Sequence, residues 1–337
     1  MDIAVVVNLR ARRGSETVAR AFRSALPRAR VVASRSLDEA LDFAAGLRDA
    51  PPDLVVCAGG DGTAVSVLNA LHTPGKGSFL DGPALGVLPL GTGNGWANAT
   101  GAPRWRRAVE QLAALAGSAG LPPIRSYQLV EVGGIHAPFA GTGWDAELIQ
   151  DFHAQKTGFG LLPQSRRNGL AGYLHGMMTR TVPRHLSRRE PVEVELQNLG
   201  SPALTVDEEG RVVPLPGGEP GAILYRGPVN VCAAGTTPEW GFRFRAFPFA
   251  RAAARRFNFR LYGGSIVEAL ARAPRLWRGA HPLPKMHSWL LDRCRVRFNR
   301  PVPFQIAGDP LGERQEIEYA LTPSAIDVLD WRALRRR

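Results

Sequence analysis

The stretch that decides the fold is Leu54-Val55-Val56-Cys57-Ala58-Gly59-Gly60-Asp61-Gly62-Thr63, an apolar run that ends in a glycine-rich turn. A helical period resumes at Ala64 and continues to Leu71, so the turn joins a strand to a helix. Glycines permit a tight turn and a close approach to a ligand, and a helix N-terminus offers unpaired N–H groups to an anion. The stretch predicts a phosphate-binding loop, although a plain tight turn would account for it when taken alone.

A second glycine-rich loop follows the next predicted strand. The apolar residues 84–88 run into Pro89-Leu90-Gly91-Thr92-Gly93-Asn94-Gly95, again just before a helical start. The carboxyl ends of adjacent parallel strands lie at one edge of a sheet, so both loops should face a single crevice. Two such loops favour a phosphate-bearing ligand over two coincidental turns. Neither is a Walker A motif, because no Gly-Lys-Ser/Thr follows the glycines.

Outward from these loops, residues 1–126 alternate strands and helices. Short apolar runs such as 3–7 alternate with helical periods, and Ser15 is a predicted N-cap for the first helix. Strands that are apolar on both faces are typical of a parallel sheet covered by helices. We therefore predict an N-terminal α/β domain at residues 1–126.

From residue 127 onward the pattern changes to alternating polar and apolar residues, separated by turns rich in proline and glycine. This period is typical of half-exposed antiparallel strands. It occurs at residues 192–196, 242–245, 294–298 and 316–319. Helical stretches interrupt it at about 146–154, 169–179 and 265–272. The fold class we predict is thus α/β followed by a β-rich, sandwich-like domain at residues 127–322, with the C-terminal segment 323–337 packing back on the first domain.

Composition excludes several classes of protein. The 337 residues carry a formal charge of +12, and 45% of them are hydrophobic, which is enough for a sizeable core. No apolar run reaches the length of a membrane-spanning helix, and the N-terminus does not have the pattern of a signal peptide. Cys57, Cys232 and Cys294 are far apart and suggest reduced, buried thiols rather than a disulfide or zinc site. We expect a cytoplasmic protein.

The order of motifs along the chain resembles a known family. The residues at 59–63 and 88–94 are similar to the two loops in the catalytic domain of diacylglycerol kinases, sphingosine and ceramide kinases and their bacterial lipid-kinase relatives. Asn8 with Gly14-Ser15 resembles the family's opening turn, although Leu9 replaces the usual proline. Gly141-Thr142-Gly143-Trp144-Asp145-Ala146 and the segment 303–309 resemble two elements of the family's β-rich domain. The fold implied is of the NAD-kinase and diacylglycerol-kinase type.

What the resemblance implies is an ATP-dependent lipid kinase that uses Mg²⁺. The metal would be held by Asp61 and Asp145, and Asp309 or Asp61 would be the catalytic base. Phosphoryl transfer needs donor phosphates neutralised by metal and backbone amides, and a carboxylate to accept the proton of the acceptor hydroxyl. The residues carried over to the nucleotide site are Asn8, Gly59, Gly60, Asp61, Gly62, Thr63, Gly91, Thr92, Gly93 and Asn94.

Two departures from the family pattern affect this assignment. The family's Asp-Gly-Glu turn is Ala307-Gly308-Asp309 in this chain, so one acidic group is missing and the other is one methylene shorter. We favour Asp309 over Asp61 as the base. Arginines follow Pro248-Phe249-Ala250 where acidic residues are usual, so we expect the auxiliary metal site of some bacterial members to be lost.

The excess positive charge suggests a membrane partner. Arginines mixed with aromatic residues recur at 166–167, 180–189, 251–260 and 272–289, which indicates either a solvated basic face or an interfacial surface. We expect peripheral association with an anionic membrane that carries the lipid substrate, and a homodimer as a further partner. No nucleic acid partner is expected, because no helix-turn-helix, RRM or zinc-finger signature is present. The alternatives are a kinase of a soluble acceptor, as NAD kinases are, and a catalytically impaired nucleotide-binding protein.

Overall fold

The computed structural model describes residues 1–72, 82–118, 120–157, 170–187 and 191–335. Its strands are β1 (Ile3–Asn8), β2 (Arg30–Ser34), β3 (Leu54–Gly59), β4 (Ala84–Pro89), β5 (Ile124–Tyr127), β6 (Val130–Val132), β7 (Ile135–Ala137), β8 (Phe139–Gly143), β9 (Val192–Asn198), β10 (Leu204–Val206), β11 (Val212–Pro214), β12 (Ile223–Val229), β13 (Val231–Gly235), β14 (Phe257–Tyr262), β15 (Met286–Leu291), β16 (Arg293–Ile306), β17 (Asp309–Leu321) and β18 (Ile326–Leu329). Its helices are α1 (Glu16–Ala25), α2 (Leu37–Gly46), α3 (Asp61–Leu71), α4 (Gly95–Ala99), α5 (Trp105–Ala116), α6 (Trp144–Thr157), α7 (Leu170–Gly176), α8 (Val182–Ser187), α9 (Ile266–Ala271), α10 (Ala273–Trp277) and α11 (Trp331–Leu334), with a π-helical turn at Met177–Thr181.

The described chain divides into two compact units, and the first consists of residues 1–128 and 323–337. Its six described strands form a sheet in the order β2-β1-β3-β4-β18-β5, parallel except at β5. Strands β1 and β3 are apolar on both faces because helices cover the sheet. In one core, Phe22 of α1 and Leu112 of α5 pack with two strand residues, Val5 and Val56. Ser15 caps α1 as predicted. The predicted parallel α/β sheet is confirmed.

The second unit, residues 129–322, is built on an antiparallel sheet of twelve described strands. Strand β8 lies between β13 and β16, so it is held on both edges. The long strands β16 and β17 form a hairpin. Buried and more exposed residues alternate along β9, as its sequence period predicted. The predicted β-rich region after the α/β domain is confirmed.

One predicted strand, residues 242–245, is wrong. Phe242 and Arg243 have φ angles of 51° and 63°, which a strand does not allow, and Gly241 pairs with Phe244 across a tight turn. The alternation arises instead because the Phe244 ring stacks on Trp240 at 6.0 Å in a local aromatic cluster. The other helices and strands predicted above are present. Gly169, the first residue of one predicted helix, lies outside the described residues, and so do Arg166, Arg167, Arg188 and Arg189 of the predicted basic stretches. None of the described helices is long and apolar enough to cross a membrane.

Candidate functional site

The two glycine-rich loops lie side by side at the carboxyl edge of the first sheet. Strands β3 and β4 pair in register to their ends, with Gly59 opposite Pro89. The carbonyl of Gly59 then accepts hydrogen bonds from the N–H groups of both Leu90 and Gly91, each at 2.9 Å. The second loop is therefore bonded directly to the first, as the sequence predicted for loops that share a crevice.

Close backbone contact explains two of the glycines. A Cβ placed on Gly91 would overlap the Cα of Gly60 and lie 3.1 Å from its nitrogen, so a side chain there would push the loops apart. A Cβ on Gly59 would lie 2.8 Å from the Thr63 side chain in the first turn of α3. Glycine is required at both positions because Gly91 packs against the backbone of Gly60, and Gly59 packs against the side chain of Thr63.

Asp61 joins the two loops through its carboxylate. The side chain is buried, with 8% of its surface exposed. Its Oδ2 accepts a hydrogen bond from the Gly95 N–H at 2.7 Å, and its Oδ1 accepts one from the Trp96 N–H at 3.1 Å. Asp61 therefore caps α4, where negative charge is favourable. The predicted catalytic and metal-binding carboxylate of this loop thus also has a structural role.

Asn8 and Asn94 complete the predicted nucleotide residues of the first unit. Asn8 ends β1, and its side-chain amide donates to the Thr63 hydroxyl at 2.8 Å. Asn94 has a left-handed backbone (φ 54°), which asparagine tolerates, and its amide donates to the Gly91 carbonyl at 2.9 Å. The Asn94 Oδ1 is buried and has no hydrogen-bond partner among the described residues. An acceptor of this kind is available to a donor group of a ligand.

The first turn of α3 brings backbone N–H groups to this edge. Gly60 is its N-cap, and in the described part of the chain no side-chain hydrogen bond caps the helix, so the N–H groups of its first turn lack the usual intrahelical partners. Gly62, Thr63, Thr92 and Gly93 are partly exposed beside it. A helix N-terminus next to glycine backbone is suited to bind phosphate oxygens.

A buried carboxyl group marks the second unit. Asp145 lies in the first turn of α6 with 9% of its surface exposed, directly after β8. Gln305 of β16 donates to its Oδ2 at 2.8 Å, whereas its Oδ1 has no hydrogen-bond partner in the described chain. Burial raises the pKa of Asp145 to about 8, against a smaller lowering by the Gln305 bond, and the charge of Glu147 adds to the increase. Such a perturbed, half-satisfied acid is typical of functional sites.

Gln305 also holds the turn that carries Asp309. Its Oε1 accepts the Gly308 N–H at 2.8 Å, while its amide donates to Asp145. Ala307 and Gly308 have φ angles of 50° and 89°, as in a two-residue type I′ hairpin turn between β16 and β17. Asp309 begins β17 and is exposed to solvent. One buried amide thus connects the two predicted acidic residues of this unit.

Gln305 lies within the 303–309 segment, but the sequence pattern predicted no role for it. A buried network was not predicted either: the Trp144 indole donates to His185 Nδ1 at 2.9 Å, and His185 Nε2 lies 2.7 Å from Glu147. Because Nδ1 accepts from the indole, the neutral ring carries its proton on Nε2 and donates to Glu147. The partners are 38 residues apart, and no spacing rule signals such a pair.

The predicted metal ligands belong to different units, Asp61 to the first and Asp145 to the second. In the part of the chain that the structure describes, no group of three or more His, Cys, Asp and Glu side chains could hold a metal ion. A nucleotide-borne Mg²⁺ needs only one or two protein carboxylates, since phosphates and water supply the other ligands. The unpartnered Oδ1 of Asp145 fits such a role.

Comparisons with known proteins agree with this geometry. Residues 2–121 match the family model of the diacylglycerol kinase catalytic domain. A diacylglycerol kinase structure from Bacillus anthracis superposes with a TM-score of 0.61 at 13% identity, covering 99% of this chain and 98% of that one. A second B. anthracis structure, provisionally named a diacylglycerol kinase, gives 0.65 at 14% identity and 97% coverage of both chains.

More distant is an NAD kinase from Archaeoglobus fulgidus, solved in complex with ATP, with a TM-score of 0.51 at 12% identity over 100% of this chain and 96% of that one. No curated protein matches the sequence. The family match confirms the predicted resemblance, and the solved structures confirm the predicted fold. Together they support a phosphotransferase of the kinase class.

Proposed function

We propose that this chain, built on a kinase fold, is an ATP-dependent lipid kinase. It transfers the γ-phosphoryl group of ATP to the hydroxyl group of diacylglycerol or a related long-chain lipid alcohol. The observation that carries the proposal is the bonded pair of glycine loops, in which the Gly59 carbonyl accepts from the N–H groups of Leu90 and Gly91 beside the N-terminus of α3. That edge suits the phosphates of a nucleotide.

In the first unit, the backbone N–H groups of residues 60–63 and 92–94 bind the ATP phosphates. Asn8 orients Thr63 through its 2.8 Å hydrogen bond, so that the threonine presents its backbone to the ligand. Asp61 fixes the distance between the two loops. Positioning of this kind is the main contribution of a protein to phosphoryl transfer, because the reaction needs little covalent chemistry from it.

In the second unit, Asp309 acts as the general base and takes the proton of the acceptor hydroxyl. Its carboxylate is exposed at the start of β17, where a substrate can reach it. Asp145 would hold Mg²⁺ in this unit, and its buried Oδ1, which has no hydrogen-bond partner in the described chain, is the observation that fits it to this role. Bound Mg²⁺ would neutralise charge on the transferred phosphoryl group. Gln305 positions both acidic residues by bonding Asp145 and the 307–308 turn.

The test is transfer of radiolabelled γ-phosphate to extractable lipid. Purified protein with Mg-ATP is offered vesicles that contain diacylglycerol, monoacylglycerol, ceramide or sphingosine. We expect one of these lipids to be labelled, and Asp309→Asn to lower kcat by about 10²–10⁴-fold, the usual contribution of a general base. Glu313→Gln, an exposed change on the same strand, is the matched control and should leave kcat unchanged. Absence of label from every lipid would refute the proposal, and full activity in Asp309→Asn would move the base to Asp61.

A kinase of a soluble acceptor is the second candidate, and the fold shared with the NAD kinase favours it. NAD added to the same assay separates the two, since phosphate would then enter the aqueous rather than the lipid phase. A catalytically impaired nucleotide binder is the third, favoured by Ala307 in place of an acidic residue. It predicts tight ATP binding with no labelled product of either kind. Location at the cytoplasmic face of a membrane, as a peripheral protein, is part of the lipid kinase proposal.

A further inference from the structure

Exposed apolar side chains in the second unit concentrate on its helices. Of the large apolar side chains that are exposed there in the described chain, only Ile223 lies on a strand. The others lie on α7, the π-helical turn, α8, α9 and α10: Leu174, Met178, Leu186, Val267 and Trp277. Helix α9 packs against both α8 and α10, so these elements form one layer. Such concentrations of exposed apolar surface mark interaction sites.

Trp277 is the most conspicuous member of this layer. It is 38% exposed at the end of α10, a helix with no buried residue, whereas the other tryptophans are buried or half-buried. One side of its ring lies against Phe244, with ring centroids 5.4 Å apart. Its carbonyl accepts the Arg245 N–H at 3.0 Å. The tryptophan is therefore held firmly while part of its ring remains in water.

Four exposed arginines flank Trp277 or its ring partner Phe244 in the sequence: Arg243, Arg245, Arg275 and Arg278. In the described part of the chain, none of the four forms an ion pair with a carboxylate. Arg275 and Arg278 donate only to the carbonyls of Pro282 and Pro274. On the β16–β17 hairpin, by contrast, the exposed Arg293 and Arg297 pair with Glu318 and Glu316. The charge around Trp277 is left for an anionic partner.

We infer that Val267, Trp277 and the four arginines form a docking face that sits on an anionic phospholipid bilayer. Arginines bind lipid phosphates, and a tryptophan prefers the boundary between head groups and acyl chains. A nucleic acid would account for the arginines but not for Val267, Leu186 and the other exposed aliphatic groups of the same layer. The inference rests on the proposed membrane-borne acceptor for its biological meaning, but the binding itself is independent of catalysis.

The first test is sedimentation with sucrose-loaded vesicles of phosphatidylcholine alone or mixed with phosphatidylglycerol, without ATP. We expect binding only to the anionic vesicles, weakening with salt. Arg275→Gln with Arg278→Gln should weaken partition about 30-fold, because each basic residue near the surface contributes about fivefold. Arg243→Gln with Arg245→Gln is a second pair and should act similarly. Circular dichroism verifies that each variant is folded.

The matched control pair is Arg104→Gln with Arg107→Gln. Both arginines are exposed in the first unit, and neither pairs with a carboxylate in the described residues, so the net charge changes equally. This pair should bind vesicles like the unaltered protein. Equal losses in the control and docking-face pairs would overturn the inference, since binding would then depend on total charge. Unaltered binding in both docking-face pairs would overturn it as well.

Lipids brominated in their acyl chains test whether Trp277 enters the bilayer. The protein's fluorescence should be quenched on binding, and the quenched fraction should be lost in Trp277→Phe. Equal quenching in both proteins would overturn the inference. A single-stranded oligonucleotide tests the other anionic partner. If the protein bound it tightly, and the arginine changes abolished that binding but left vesicle binding unaffected, the face would be a nucleic acid site and the inference would be overturned.

The outcomes separate this inference from the proposed activity. If the protein binds anionic vesicles through this face but phosphorylates no lipid, the docking face stands and the lipid kinase proposal is refuted. A protein that phosphorylates a water-soluble, short-chain diacylglycerol but does not sediment with anionic vesicles remains a lipid kinase and overturns the docking face.

Discussion

Asp61 caps the helix that begins at Gly95, accepting the Gly95 N–H at 2.7 Å, although Asp61 itself starts a different helix. The bond crosses from the loop after β3 to the loop after β4. With 8% of its surface exposed, the carboxylate is shielded from water, which strengthens the bond. The relative position of the two glycine-rich loops therefore depends on this side chain as well as on the backbone bonds to the Gly59 carbonyl.

Asp61→Asn should destabilise the first unit and weaken ATP binding together. An amide retains one acceptor oxygen but turns its NH₂ group toward a backbone donor, and the negative charge at the N-terminus of α4 is lost. We expect a cost of about 1–2 kcal/mol in urea unfolding, the usual value of a capping residue. Calorimetry should show a parallel loss of ATP affinity.

Asp330→Asn is the matched control for that change. Asp330 caps α11 in the same unit by accepting the N–H groups of Arg332 and Ala333, away from the glycine loops. It should cost a similar amount of stability without altering ATP affinity. If Asp61→Asn binds ATP as tightly as the unaltered protein, ATP binding does not depend on the hydrogen bonds by which Asp61 joins the two loops.

Gly91→Ala should separate the loops. The new methyl group would overlap the Cα of Gly60, and backbone atoms cannot move aside by a change of rotamer. We expect kcat/KM to fall about 10²-fold, the effect of a displacement near 1 Å at a reacting centre. Steady-state kinetics measure this, once the labelled acceptor is known.

Gly46→Ala is the companion substitution in the same unit. A Cβ there meets nothing within 4 Å, and the residue ends α2 with an ordinary backbone. It should leave kinetics unchanged and stabilise the protein by roughly 0.4–1 kcal/mol, because alanine has less freedom in the unfolded chain. Comparable kinetic losses in the two variants would mean that the loop contact has no special importance.

The sequence predicted what depends on local periods. Apolar runs and glycine-rich turns are local patterns, so the α/β sheet and the loops at 59–63 and 91–94 follow from it. The cap on Gly95 could not be predicted, because it joins residues 34 positions apart. The turn at 242–245 was mistaken for a strand because a period of two does not distinguish a pleated edge from an aromatic cluster such as that around Trp240.

The second unit's acidic residues show the same limit. The resemblance in motif order predicted Asp145 and Asp309 as site residues, but the Gln305 side chain that bonds Asp145 and the intervening turn is visible only in the fold. The burial that raises the pKa of Asp145 is also a property of packing rather than of sequence.

Stability of the metal-free protein should fall as pH rises toward 8. Burial raises the pKa of Asp145 from 3.8 to about 8, so between these values the native state binds a proton that the unfolded state has released. The contribution is therefore fully present below about pH 4 and lost above about pH 8, on the order of a few kcal/mol. Urea midpoints measured with a chelator across this range test the slope.

Asp145→Asn should flatten that slope and stabilise the protein at the alkaline end. The asparagine oxygen still accepts from Gln305, but no buried charge forms. Asp309→Asn, an exposed change, should leave the slope intact. An unchanged slope in Asp145→Asn would assign the pH dependence to another group.

Gln305→Met should lower kcat while leaving the KM for ATP unchanged. The side chain is fully buried, and methionine fills a similar volume but removes the bonds to Asp145 and Gly308. Each buried group left without a partner costs about 1–3 kcal/mol, so the turn that carries Asp309 should shift while the glycine loops of the first unit do not.

Gln197→Met, which removes one bond to Gly221 in the same unit, is the control and should preserve kcat. Steady-state kinetics with varied ATP measure kcat and KM, and circular dichroism measures the unfolded fraction of each variant. If Gln305 contributed only to folding, the apparent kcat would fall by no more than that unfolded fraction. A kcat loss no larger than that fraction would make Gln305 purely structural.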